Sequence, residues 1–162
     1  MIKSVAIVLA LLIVGFGLVL LFPRESENTV QTTSDRTSRE VALDCTTDMA
    51  TKFHIHPTIT IVANGENQVV PADIGIRGGC MNALHTHDMS GLVHVESPER
   101  RDFTLGDFFA VWEQPFTRNG ILSYALDEDH QIQVTVNGID VETYEDTVLS
   151  DNAVIVITYE SK

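Results

Sequence analysis

A long apolar run close to the N-terminus constrains this chain more than any other feature of its sequence. The run covers residues 5–22, is interrupted only by Gly15 and Gly17, and stops at Pro23; with Ser4 the segment has 19 residues. About 19 residues would form a helix of roughly 28 Å, which is long enough to cross the apolar core of a bilayer. The sequence therefore predicts a transmembrane anchor over residues 1–23.

A cleaved secretory signal peptide is the alternative interpretation of this run. The apolar region of a signal peptide usually has about 7–15 residues and is followed by small residues at the cleavage site. Here the run is longer, and it ends at residues 20–23 in Leu-Leu-Phe-Pro, which is a poor cleavage site. The length and the ending favour an anchor that stays attached.

The remainder of the chain is strongly acidic. The sequence contains 23 Asp and Glu residues against 10 Lys and Arg residues, for a net charge of −13. Such a surface repels phosphate backbones and anionic lipid headgroups, which argues against nucleic acid as a partner. Lys3 favours a cytoplasmic N-terminus, although Arg24 weakens that bias. We therefore expect a single-pass protein of the cell membrane whose C-terminal domain is extracytoplasmic.

Two further segments follow the anchor. Residues 24–44 are rich in Ser, Thr and Glu without apolar periodicity, which predicts a flexible polar linker. Residues 45–162 form the predicted extracytoplasmic domain. Its two cysteines, Cys45 and Cys80, are most simply a disulfide in an oxidising compartment.

The predicted domain alternates between strand patterns and one helical pattern. The segments FHIHPTITIVANGENQVV, LVHVES, HQIQVTVNGIDVE and AVIVITYE read as strands, and the first and third of them contain Asn-Gly turns. In FTLGDFFAVW four apolar residues share one helical face, namely Leu105, Phe108, Phe109 and Trp112. Thr104 is a candidate N-cap, and Pro115 follows the helix. The expected fold is a single α+β domain with four to six strands and one helix.

The C-terminal half resembles β-grasp (ubiquitin-like) domains, in which VNG and a Leu-x-Asp turn, here Leu149–Asp151, precede a β-branched strand. The complete pattern, HxHP, HTHDxSGxxHxES and FTLGxFFxxW, also resembles a group of uncharacterised, N-terminally anchored extracytoplasmic proteins. The first resemblance implies a β-grasp-like sheet, and neither resemblance implies an activity.

Five of the six histidines are close together in the sequence, and four of them form two H-x-H pairs. Residues i and i+2 of a strand share a face, so one ion can bind both imidazoles of such a pair. If Asp88–Gly91 is a four-residue hairpin loop, His85 pairs with His94 and His87 lies on the same face. This register also pairs residues 86 with 93 and 87 with 92. It places three residues on the opposite, core-facing side, namely Leu84, Val93 and Val95.

The leading hypothesis is a metal-binding protein for one copper or zinc ion. Its predicted ligands are His85, His87 and His94, with His54 and His56 as further candidates. Asp88 and Glu96 are candidate hydrogen-bond partners of these ligands. Binding is preferred to catalysis because no acid–base pair, nucleophile elbow, phosphate loop or H-E-x-x-H motif is evident.

The sequence is also compatible with three other functions. The domain could be a protein-interaction or structural module of a membrane or envelope complex, with histidines that bind no metal. It could be a zinc-dependent hydrolase that uses Glu96 or Asp88 as a base. The spacing of Cys80, His85 and Met89 also matches the copper-ligand loop of cupredoxins, which are electron carriers, and that site requires a free thiolate.

Overall fold

The computed structural model describes residues 35–47 and 50–162, so the predicted anchor (residues 1–23) lies outside the described residues. Within those two ranges, no helix combines the length and the apolar character needed to cross a membrane. The described elements in chain order are α1 Ser38–Leu43, β1 Cys45–Thr46, β2 Phe53–Ile55, β3 Thr58–Ala63, β4 Glu66–Gln68, β5 Ile76–Arg77, β6 Cys80–Asn82, β7 Leu84–His85, β8 His94–Ser97, α2 Leu105–Trp112, β9 Phe116–Thr117, β10 Gly120–Ile121, β11 Tyr124–Ala125, β12 His130–Val136, β13 Ile139–Val141, a 3₁₀ turn Tyr144–Asp146 and β14 Val154–Ser161.

A five-stranded mixed sheet is the largest element of the fold. Its strand order is β13-β12-β14-β3-β4, and the central strand, β14, runs parallel to β3. Each outer pair is a hairpin with an Asn-Gly turn, at residues 64–65 and 137–138, and the backbone φ of all four turn residues is positive. The two predicted Asn-Gly hairpins are therefore confirmed. They form at these positions because Asn and Gly accept the left-handed conformation that tight hairpin turns require.

The predicted helix is also present, as α2. Thr104 caps it: its hydroxyl accepts a hydrogen bond from the Asp107 N–H (3.3 Å), and the Asp107 carboxylate accepts one from the Thr104 N–H (3.0 Å). Phe108 and Phe109 are buried in the same hydrophobic core as the inner face of the main sheet. The described residues thus form a sheet-rich α+β domain with one principal helix, as the sequence predicts, but they contain fourteen strands, most of them short, where four to six were expected.

The predicted flexible linker is wrong for its last part. Residues Ser38–Leu43 form helix α1, capped by Thr37 and Glu40, and its Val41 and Ala42 are buried. The buried Asn82 amide donates a hydrogen bond to the Ala42 carbonyl oxygen (2.9 Å). Six residues are too short for a periodic signal to be recognised in the sequence, and tertiary contacts stabilise this helix.

The predicted disulfide is confirmed. Cys45 and Cys80 are bonded across 35 residues, and the bond joins β1 to β6 within a small sheet of order β1-β6-β5. Residue 82, at the end of β6, lies three positions before His85. The disulfide therefore fixes the segment that leads directly into the histidine cluster.

Candidate metal centre

A second small sheet, of order β2-β8-β7, brings the histidines together. Strand β8 is its middle strand, and His94 begins that strand. His85 on β7 pairs directly with His94, as the sequence predicts. On the other side, β2 pairs His54 with Glu96, so His56, two residues further along, comes level with His94. Because side chains on opposed residues share a face, all of these imidazoles lie on one side of the sheet.

The ring distances confirm a single cluster with His94 at its centre. The His94 ring centroid lies 4.8 Å from that of His56, 5.4 Å from that of His85 and 4.7 Å from that of His87. The His54 and His56 centroids are 4.3 Å apart, and those of His85 and His87 are 4.9 Å apart. The five histidines that the sequence singled out are therefore neighbours in space.

Two groups of three histidines could each hold a metal ion. The inner group is His85, His87 and His94, and the outer group is His54, His56 and His94. Within each group, one ligand nitrogen per residue lies within 4.8 Å of the others. Ligands of a tetrahedral zinc ion lie about 3.4 Å apart when the bonds are about 2.0–2.1 Å long, so small side-chain rotations would close either group around an ion.

His85 is the candidate ligand of the inner group whose ring is held most firmly in place. Its side chain is fully buried (0% exposed), and its Nδ1 lies 3.1 Å from the carbonyl oxygen of Asn82. A carbonyl oxygen only accepts, so Nδ1 carries the proton and Nε2 presents its lone pair. That Nε2 is buried and has no hydrogen-bond partner. A ring fixed by an Nδ1–H donor bond, with a free Nε2, is the usual arrangement of a metal-bound histidine.

Burial and mutual repulsion lower the pKa values of His85 and His94, which favours their uncharged forms. Burial lowers the pKa of His85, and the neighbouring His87 and His94 lower it further, against the opposing effects of the Asn82 carbonyl and Glu96. Burial also lowers the pKa of His94, together with His87 and His56. The neutral imidazole is the form that binds a metal ion, so both shifts favour coordination near neutral pH.

Acidic side chains surround the outer group. The Glu96 Oε1 atom lies 3.1 Å from His54 Nε2, and the Asp151 Oδ1 atom lies 4.0 Å from His56 Nδ1 and accepts a hydrogen bond from the His56 N–H (3.0 Å). Sequence reasoning missed Asp151, because nothing in the sequence indicates that the turn before β14 reaches β2. Its position in the Leu-x-Asp turn predicted a turn but no contact with His56.

Asp88, the other candidate partner of the ligands, has a different contact. Its carboxylate accepts a hydrogen bond from the Ser90 N–H (2.8 Å), which shapes the loop after His87. The hydrogen bonds from Ser90 lower the pKa of Asp88, and the nearby His87 and His94 lower it further. The Asp88 carboxylate thus adds negative charge beside the inner group, and its hydrogen bond with Ser90 stabilises the turn after His87.

The predicted four-residue hairpin loop is wrong. The pairing of β7 with β8 ends at His85 and His94, so the connection is longer than Asp88–Gly91. The Thr86 N–H donates to the Ile74 carbonyl, and the Val93 N–H donates to the Pro57 carbonyl. The two flanking residues thus bond to other segments instead of to each other. The predicted core-facing residues are nevertheless buried, namely Leu84, Val93 and Val95.

The disulfide excludes the cupredoxin-like site. Such a site needs the thiolate of Cys80, and that sulfur is bonded to Cys45. The sixth histidine, His130, lies outside both groups: its Nδ1 is 2.6 Å from Asp127, and its ring stacks on Tyr159.

Comparison of this chain with protein families, with curated proteins and with solved structures yields no match. The support for the candidate metal centre is therefore the arrangement of its histidines.

Proposed function

We propose that this chain is a membrane-anchored, extracytoplasmic protein that binds one copper or zinc ion through its histidine cluster. The observation that carries the proposal is the buried Nε2 of His85, which has no partner. A buried polar atom without a hydrogen bond costs about 1–3 kcal/mol. A metal ion bound at the inner group would give that nitrogen a partner.

The donor set supports the choice of metal. Imidazole nitrogen suits zinc and copper, whereas calcium and magnesium prefer oxygen ligands. Three imidazoles leave one coordination position for water or a carboxylate, which is typical of an open or exchangeable site. The disulfide and the acidic charge are both compatible with an oxidising compartment outside the cytoplasm.

Binding or delivery of the ion is preferred to hydrolysis. A hydrolase would need a carboxylate free to act as a base on metal-bound water. Glu96 contacts His54, and Asp88 accepts the hydrogen bond from Ser90. These contacts give the hydrolase alternative no specific support, whereas a storage or delivery role requires only the ligands.

The proposed fold is β-grasp-like. The support is the order of the main sheet, in which its last strand, β14, lies between the two hairpins and runs parallel to its first strand, β3. Helix α2 follows the first hairpin in the chain, as in that fold. A partner protein in the membrane or cell envelope stays a prediction, and the fold by itself supplies no function.

The test is metal binding by the full chain, purified in a mild non-ionic detergent and titrated calorimetrically with Zn²⁺ and with Cu²⁺. We expect one ion per chain and a loss of at least about tenfold in affinity for the His85→Ala/His94→Ala variant. The His130→Ala variant is the matched control, because it removes a histidine outside the cluster. Equal affinities of all three proteins, or the absence of binding, would show that the proposal is wrong.

A further inference from the structure

The two histidine groups share a ligand, and this limits how they can be used. His94 belongs to both, and a neutral imidazole offers a single lone pair to a metal. The groups therefore compete for one ion. Because His94 is common to both, an ion could move from one group to the other while it keeps its bond to that residue.

The groups differ in access to solvent. The side chains of the two outer residues, His54 and His56, are 43% and 36% exposed, whereas His85 is fully buried. The carboxylates of Glu96 and Asp151 stand beside the outer pair. Acidic groups at an exposed site raise the local concentration of cations, so the outer group is suited to capture an ion from solution.

The inner group is suited to retain the ion. Its buried His85 has a fixed ring and an Nε2 atom without a partner, and no such atom is found in His54 or His56. Coordination by His85 would remove the free-energy cost of its buried Nε2 atom without a partner, and the outer pair, His54 and His56, has no such cost to remove. The gradient of affinity therefore points from the exposed pair to the buried histidine.

From this arrangement we infer that the two groups act in sequence: the outer group captures the ion and passes it across His94 to the inner group. This inference rests on the proposed function. The ion leaves by the reverse route, so the outer pair governs the rates of loading and release more than the final affinity. Direct entry past His87, which is exposed, is the competing route.

The test compares rates with affinity in the full chain in detergent. Loading is followed by stopped-flow mixing of the metal-free protein with Zn²⁺ and a fluorescent indicator of free zinc. Release is followed after loaded protein is mixed with excess chelator. We expect the His54→Ala/His56→Ala variant to load and to release Zn²⁺ about tenfold more slowly, with its equilibrium affinity kept within about twofold. The His54→Gln/His56→Gln variant should behave alike.

Two further proteins complete the comparison. His85→Ala should load normally but release Zn²⁺ faster, because the ion stays in the outer group. His130→Ala should match the unaltered chain in both rates. Circular dichroism of each variant checks that the fold is kept.

Three results would overturn the relay. The first is unaltered loading by the His54→Ala/His56→Ala variant, which would indicate that the ion enters past His87. The second is two ions per chain at saturation. The third is slower loading of that variant with unaltered release, which would indicate that His54 and His56 are ordinary ligands of the bound ion. In each case binding that still depends on His85 and His94 would leave standing the proposal that the cluster binds a metal ion, although two ions per chain would contradict its stoichiometry of one. Absence of Zn²⁺ and Cu²⁺ binding by the unaltered chain would instead remove both.

Discussion

Gly91 lies in the loop between His87 and His94, and its backbone adopts φ +80°. Its carbonyl oxygen accepts a hydrogen bond from the Ile59 N–H (2.9 Å), which ties this loop to the start of β3. A Cβ atom added at Gly91 would collide with the carbonyl oxygen of Ile59. Gly91→Ala therefore combines backbone strain with the displacement of the loop that connects two predicted ligands, His87 and His94.

The chain provides a matched control at Gly65. This residue also has φ +80°, and a Cβ atom added there would meet nothing within 4 Å. Gly65→Ala should lower the free energy of unfolding by about 1–2 kcal/mol, the cost of placing alanine in the left-handed conformation. Gly91→Ala should lower the free energy of unfolding by this amount and by about 1–3 kcal/mol more, because the N–H of the buried Ile59 loses its hydrogen-bond acceptor. The difference between the two variants isolates the contact with Ile59.

The assay is urea denaturation of residues 35–162, followed by the fluorescence of Trp112, which is the single tryptophan of the sequence. Zinc affinity is measured on the same proteins. We expect Gly91→Ala to be the less stable variant and to bind Zn²⁺ more weakly, whereas Gly65→Ala keeps the affinity of the unaltered protein. Free energies of unfolding that agree within about 0.5 kcal/mol, with equal zinc affinities, would refute the reasoning.

Three other perturbations give measurable results. Replacing Cys45 and Cys80 by Ser should lower the free energy of unfolding by about 4 kcal/mol, as expected for a link across 35 residues, and should weaken zinc binding; an unchanged urea midpoint would contradict this. Free Zn²⁺ at 100 times its dissociation constant should stabilise the unaltered protein by about 2.7 kcal/mol and His130→Ala equally, but not His94→Ala, as thermal denaturation would show. The lowered pKa values of His85 and His94 mean that the unfolded chain binds more protons than the folded one below their ordinary pKa of 6.5. The metal-free protein should therefore have its full stability above that pH and lose stability below it, and urea midpoints that fall equally in the His85→Ala/His94→Ala variant would contradict the assignment.

Local patterns were the reliable part of the sequence. The helical face of FTLGDFFAVW and the cap at Thr104 predicted α2, and the Asn-Gly pairs predicted both outer hairpins of the main sheet. These signals are reliable because each depends on residues a few positions apart. The prediction that His85 faces His94 was equally local, and the structure bears out that pair although the loop between them is longer.

Contacts between distant segments were not predictable in this way. Helix α1 has too few residues for a periodic signal, and it forms because Val41 and Ala42 find partners in the core. The wider loop after His85 arises because the backbones of Thr86 and Val93 bond to Ile74 and Pro57, respectively. Such hydrogen bonds leave no trace in the local sequence.

The amino-acid sequence by itself determined the ligand types, the two H-x-H pairs and the pair His85–His94, because alternation along a strand and across a hairpin follows from backbone geometry. Only the tertiary structure decided that β2 lies on the other side of β8, which makes His94 the common member of two groups. It also decided that His85 is buried with a free Nε2. Burial and strand neighbours depend on how distant segments pack, so the five histidines form one cluster only in the folded chain.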